Sequence, residues 1–357
     1  MGKVDLTEMR KIRLQTLFAL STVSTTSMLK KFDKVSRTMT RNGILTFLLL
    51  LPAFVQAERF VFERPEMGVA VRIIVHAADA TAVEKAVEAA FDRIRWLNTM
   101  MSDYDDDSEL MQLSQRSAEE FDKTGKLPWI KVSEDIFFVL ELSKRFAELS
   151  DGAFDITVAP VVRLWRRARR MGEPPKPEYL AKARELVGND LWELDKKTQS
   201  VRLLKKGVRF DLGAIAKGYA VDRAFEILRD AGFDTVLVDA GGDMRVGNAP
   251  PGGWKIGVPS LNEKIEIENR ASATSGDTFR FVEFDGVRYS HIINPKTGYG
   301  LTTPYIVHVT ASTACEADAL ASACSVLGPE ASGKLLKAFP DADVRFVKKS
   351  SPNPQQP

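Results

Sequence analysis

Residues 211–222 read Asp211-Leu212-Gly213-Ala214-Ile215-Ala216-Lys217-Gly218-Tyr219-Ala220-Val221-Asp222, and this stretch decides the fold because two periodicities meet in it. Val208 to Leu212 alternates as a strand does, whereas from about Ala214 to Ala231 the apolar residues recur at helical spacing. Gly213 permits close backbone approach at the junction. Lys217 falls in the opening turns of a helix whose first amides can face phosphate, where it supplies a point charge to a phosphate oxygen. The chain has neither GxGxxG nor GxxxxGK[ST], so neither a dinucleotide-binding βαβ unit nor a P-loop is indicated.

Outward from this stretch the same alternation of strand and helix continues. Thr235 to Val238 is an apolar strand ending in Asp239-Ala240-Gly241-Gly242, and Leu191 to Leu204 is two short strands around a polar turn. Val69 to Val75 reads as a strand. Ala80 to Asn98 reads as an amphipathic helix with Val83, Ala86, Val87, Ala90, Ile94 and Leu97 on one face, and Ser133 to Leu149 as a second helix with Ser133 and Asp135 as candidate caps. Trp254 to Thr310 is strand-rich, with a hairpin turn at Asp285-Gly286. Helices from about Cys315 to Leu327 and from Glu330 to Phe339 follow. Strands interrupted by helices at irregular spacing, with no repeat and no long linker, give an α+β class and one unit of about 300 residues.

Four further clusters combine acids, hydroxyls and glycine. Met100 to Glu109 holds Asp103, Tyr104, Asp105, Asp106 and Asp107 ahead of a helix starting near Ser108; a solvated helix cap explains the acids, and Tyr104 offers an aromatic wall to a flat ligand. Asp151 to Pro160 (DGAFDITVAP) is a turn between elements. Ala273-Thr274-Ser275-Gly276-Asp277 is followed by Tyr289 to Gly298 (YSHIINPKTG), which holds His291, one of three histidines. In Thr310 to Ser322, Asp318 and Ser322 stand four apart on one helix face, where a carboxylate and a hydroxyl reach one hard cation. A capped helix with small packed residues explains the same spacing. Cys315 and Cys324 lie about 13.5 Å apart along such a helix, too far for a disulfide.

In this order, GAFDITVAP, DLGAIAKGYAVD, SATSGD, SHIINPKTG and EADALASA resemble the ApbE family of FAD:protein FMN transferases, over about Met67 to Gly328. The resemblance implies a single compact T-fold-like domain, with mixed antiparallel sheets and flanking helices, over residues 58–349. It implies FAD as substrate, with the flavin near Met67, Tyr104, Ala153, Phe154 and Asp155, and the remainder placed by Asp211, Lys217 and Ile292. It also implies Mg²⁺ on the side chains of Asp318 and Ser322 and the backbone carbonyls of Ala214 and Ala321. The family usually carries threonine where Ser322 stands; serine keeps the hydroxyl and loses the methyl that fixes its rotamer. The implied reaction moves FMN from FAD to a threonine of an acceptor flavoprotein subunit or domain and releases AMP, with Lys217 and His291 as catalytic candidates. A FAD pyrophosphatase and a non-catalytic periplasmic FAD-binding protein are alternative uses of the same pocket.

The 357 residues carry a formal charge of +2, which would leave a basic chain open to nucleic acid. Residues 1–57 alone hold nine Lys/Arg against three Asp/Glu, and the remaining chain has 41 against 45, a net of −4. Nucleic acid is therefore not expected as a partner. The uncharged run Ile44 to Val55, after Arg41 and before Ala57-Glu58, is too short to span a bilayer, for which ~20 residues are needed, and reads as a secretory signal starting at Met39. Periplasmic export is expected, with inner-membrane association through an uncleaved signal or a membrane-bound acceptor; 350–357 is a polar tail. The arginine run Arg163, Arg166, Arg167, Arg169 and Arg170 reads as a solvated helix face.

Overall fold

The computed structural model describes residues 57–258, 262–276, 280–302 and 305–348. The apolar run at 44–55, its basic lead and the tail at 350–357 lie outside them. Contacts divide the chain between Val55 and Gln56, and every element below belongs to the second unit.

Strands β1 (Glu58–Glu66) and β2 (Val69–Ala77) form a hairpin whose turn residues, Met67 and Gly68, have φ of 50° and 73°, as the tight right-twisted turn requires. Helix α1 (Ala80–Met101) starts where Asp79 accepts from the amides of Thr81 and Ala82, and α2 (Glu109–Thr124) where Ser108 accepts from Met111. Next come β3 (Ile130–Lys131), α3 (Glu134–Leu149) capped by Ser133, a single 3-10 turn at Ile156–Val158, α4 (Ala159–Met171) and α5 (Pro177–Arg184). The hairpin β4 (Trp192–Asp195) and β5 (Ser200–Leu203) precedes α6 (Ala216–Asp230), β6 (Val236–Ala240), β7 (Asp243–Val246), β8 (Lys255–Val258) and β9 (Glu263–Glu266). The last elements are β10 (Arg270–Ser275), β11 (Phe281–Phe284), β12 (Val287–Ser290), β13 (Tyr305–Ala311), α7 (Ala314–Leu336) and β14 (Asp343–Lys348).

Seven strands join in the order β1-β2-β6-β7-β10-β13-β14, every neighbouring pair antiparallel, so the class is α+β as the irregular spacing indicated. One face of this sheet is the core. Val71, Ile73 and Val75 of β2, Val236 and Val238 of β6, and Val307 and Val309 of β13 are fully buried on it beneath α1, α6 and α7. Helix α7 is buried nearly all round through its first four turns by Ala317, Ala319, Leu320, Ala321, Ala323 and Cys324, as small residues allow when a helix sinks into a core. Cys315 and Cys324 are free and buried, as their spacing required.

The contact between α6 and α7 sets the geometry of everything around it. A Cβ on Gly218 would lie 2.3 Å from the Ala314 carbonyl oxygen, so only glycine lets the two helix starts meet here. The Asp222 carboxylate, one turn further along α6, accepts from the amides of Ala314 and Cys315 at 2.9 Å each and pairs with Arg245 of β7 at 2.9 Å. Burial raises the Asp222 pKa, and Arg245 with the two amides opposes that rise. Two orphan amides at the start of α7 are thereby satisfied by a side chain from another helix.

Three sequence expectations are corrected. Val208 to Leu212 is not a strand: its burial alternates because one side lies against the core, and Asp211 donates its amide to Ile156 O at 2.7 Å instead of joining a ladder. Helix α6 starts at Ala216, because Ile215 at φ −152° is not helical. The two helices expected after Cys315 are one helix bent at Gly328 (φ 75°, ψ 175°), where Pro329 cannot supply the amide. Strand β1 was not read from the sequence at all, although ERFVFERPE alternates.

Because the Gly218 contact is with backbone, Gly218→Ala is expected to cost ~1–3 kcal/mol by overpacking, and Asp222→Asn a similar ~1–3 kcal/mol by leaving partners mismatched. Urea unfolding should show lower midpoints at unchanged slope; wild-type midpoints for both variants would contradict the assigned contact.

Candidate functional site

The β6–β7 turn, the start of α6, the first turns of α7 and the β10 end converge on one cavity of about 960 Å³. Lys217 stands at its base. The ammonium forms an ion pair with Asp243, the first residue of β7, and lies 3.4 Å from Asp318 Oδ2 on α7. The Gly218 amide donates to the same Asp318 oxygen at 3.3 Å, so the Gly218 contact that lets the helices meet also delivers Asp318. Burial pushes the Asp318 carboxyl up to about 7, and the neighbouring Asp243 adds to that while Lys217 opposes it. Burial works against the Lys217 ammonium, but the two carboxylates outweigh it and hold its pKa above the ordinary lysine value. Ser322, one turn beyond Asp318, places Oγ 3.4 Å from Ser275 Oγ at the end of β10.

A second charged cluster closes the opposite wall. Arg166 of α4 pairs with Asp103 in the loop before α2 and with Asp211 at 3.0 Å, and its guanidinium lies 4.2 Å from the centre of the Tyr104 ring. Tyr104 remains 79% exposed, so its other face is open to a flat ligand. Burial pushes Asp211 up to about 6, Asp103 adds to this, and Arg166 and the Gly213 amide, which donates to Asp211 at 2.8 Å, pull it back. Below Tyr104, Asp155 accepts from the Thr157 amide at 2.8 Å and hydroxyl at 2.6 Å, and burial raises its pKa. Thr157 Oγ1 in turn accepts from Gly188 at 2.8 Å, which fixes the turn holding Ala153 and Phe154.

The third wall is the segment after β12. Ser290 Oγ accepts from the Ile292 amide at 3.1 Å, and His291 Nδ1 lies 3.0 Å from Arg280 O. A carbonyl only accepts, so in the neutral ring the proton is on Nδ1 and Nε2 is the basic nitrogen. Trp165 of α4 donates to Gly298 O at 2.8 Å, tying this segment to the arginine helix.

Met67, Tyr104, Ala153, Phe154, Asp155, Asp211, Ala214, Lys217, His291, Ile292, Asp318 and Ser322 all line this cavity. Ala321 does not; it is fully buried, and its carbonyl accepts from Ser325 Oγ at 2.8 Å. Two site residues were missed. Asp243 follows Gly241-Gly242, a pair at φ 65° and 103° that turns the chain sharply enough to aim a carboxylate inward; a polar residue straight after a glycine pair was the available signal. Arg166 was read as solvated, and Arg163, Arg167, Arg169 and Arg170 are indeed exposed, but the helix turns Arg166 toward two acids.

The chain has relatives across bacteria. It is 32% identical over 295 residues to a FAD:protein FMN transferase of Treponema pallidum, covering 75% of this chain and 78% of that protein. It is 32% identical over 301 residues to one of Vibrio cholerae, covering 81% and 87%. Among solved structures, the ApbE protein of Thermotoga maritima superposes with a TM-score of 0.71 at 29% identity, over 82% of this chain and 97% of that one. Flavin transferase ApbE from Vibrio cholerae does so with a TM-score of 0.68 at 26% identity, over 83% and 95%. The model of the ApbE family matches residues 67–346, a span that contains every element walling the cavity. The chain belongs to the ApbE family.

Proposed function

We propose that the protein binds FAD in this cavity and transfers its FMN portion, with Mg²⁺, to a threonine hydroxyl of an acceptor protein, releasing AMP. The observation that carries this reading is one ammonium, Lys217, held between two buried carboxylates, Asp243 and Asp318, on a cavity large enough for a dinucleotide. The relatives bearing the name FAD:protein FMN transferase support the flavin as the group moved.

The donors fit a hard cation. Asp318, Ser322 and Ser275 offer only oxygen, and Mg²⁺ binds through one or two carboxylates and completes its shell with water and substrate phosphate. Asp318 and Ser322 would hold it, with the carbonyl of Ala214 beside them; Ala321, which lies outside the cavity with its carbonyl bonded to Ser325, would not take part. Bound there, it supplies positive charge to the pyrophosphate oxygens.

The chain's own groups supply the rest. Tyr104 and Met67 flank the flavin ring and the Ala153–Asp155 turn forms its floor, while Arg166 holds the Tyr104 loop against Asp211. Lys217 faces the pyrophosphate and offsets the charge that builds as the threonine oxygen bonds to the FMN-side phosphorus and the bond to AMP breaks. His291 Nε2 takes the threonine proton. Water entering in place of threonine would yield FMN and AMP, so exclusion of water by a docked acceptor separates transfer from hydrolysis.

Asp318→Ala is expected to abolish Mg²⁺-dependent flavin transfer while leaving the circular dichroism spectrum unchanged; transfer at the wild-type rate would overturn the metal assignment. Arg166→Gln leaves Asp103 and Asp211 without their shared cation. It is expected to raise KM for FAD by about tenfold or more, with a smaller change in kcat, since the lost contacts position ground state and transition state alike. A fall in kcat at constant KM would contradict that role.

A further inference from the structure

The outer face of the seven-stranded sheet carries a second cavity, of about 470 Å³, that shares no residue with the first. Its floor is apolar and built: Ile74 of β2, Leu237 of β6, Met244 of β7, and Trp254 and Ile256 from β8 and the loop before it are all buried. Trp254 is fixed by donating to Asn248 O at 3.0 Å, and the His76 ring meets it edge-on at 5.6 Å. Around this floor stand three exposed cations, Arg59, Arg72 and Lys255.

Register explains why the cations gather. Arg59 lies opposite His76 across the β1–β2 pair, and Arg72 lies opposite Asp239 across β2–β6, so alternation sends all four to the outer face. Arg72 pairs with Glu63 at 3.0 Å. Arg59 and Lys255 have no ion-pair partner among the described residues. Asp239 is the one acid among the lining residues, and its Oδ1 already accepts from the Gly242 amide at 2.8 Å.

An open apolar floor alone would be an uncovered piece of core, and cations alone would be a solvated rim. Together they match a ligand with both parts, since the apolar body gains from burial and an oxyanion gains charge-assisted hydrogen bonds from arginine and lysine. The volume is within the range of small-molecule sites, ~300–1,000 Å³. We propose that this pocket binds a small amphipathic anion, a phosphate monoester or carboxylate on a flat apolar body, with the body on the Trp254, Ile74 and Leu237 floor and the head toward Arg59 and Lys255.

Calorimetric titration of the FAD-saturated, Mg²⁺-free full chain with 1-naphthyl phosphate, 1-naphthoate and neutral 1-naphthol tests it. One equivalent of either anion is expected to bind, the tighter of the two naming the head group, with 1-naphthol at least about tenfold weaker. The double variant Arg59→Gln, Lys255→Gln should weaken the anions about tenfold or more, as the loss of charge-assisted bonds implies. Absence of binding, equal binding of 1-naphthol, unchanged affinity in the variant, or binding seen only when FAD is omitted would each overturn the proposal; the three outcomes read on the unaltered chain keep it falsifiable if the variant folds poorly.

Discussion

One contact without a side chain governs the arrangement: Gly218 against the backbone of Ala314 and Cys315. Helices separated by ordinary side chains sit roughly 8–10 Å apart; here backbone meets backbone, and Asp318 accepts from the Gly218 amide at 3.3 Å beside Lys217. The missing Cβ brings the start of α7 onto α6. Asp222 then locks it by accepting two of α7's first amides, and Arg245 ties that carboxylate to the sheet. The start of α7, where a helix is normally open to an anion from solvent, is here closed by an internal one.

Both charged clusters in the cavity follow the same arithmetic. One cation serves two carboxylates, Lys217 with the buried Asp243 and Asp318, and Arg166 with the partly buried Asp103 and Asp211. Each is left with an excess of negative charge, which is why burial and the second acid push Asp318 and Asp211 upward despite their cation partners. A site poised this way gains from a further positive charge at the Lys217 cluster. At the Arg166 cluster the guanidinium is also a ring partner for Tyr104, so electrostatics and the aromatic wall are held by one side chain.

Much of this was legible in the sequence where a local rule applied. Alternation and capping located β2, α1 and α3, the Asp285-Gly286 turn was recognisable from its residues, and Asp318 with Ser322 followed from a one-turn spacing. What failed was non-local. Val208 to Leu212 alternates because one side covers the core, and no sequence rule says whether a neighbouring strand will be there. Arg166 looks like its four neighbours until helix phase and the distant Asp103 and Asp211 single it out. Asp243 required knowing that a two-glycine turn would point back over α6. The order of motifs placed twelve residues around one cavity, while the pairing of charges inside it became visible only in three dimensions.

In the function proposed for it, this cavity passes FMN to a protein hydroxyl rather than to water. The most direct measurement incubates the protein with FAD, Mg²⁺ and a threonine-bearing flavin acceptor, and compares AMP released with flavin covalently bound by mass spectrometry. One AMP per flavin attached is expected, with the flavin on threonine through phosphate. AMP and free FMN in equal amounts with an unmodified acceptor, or FAD recovered intact, would contradict it.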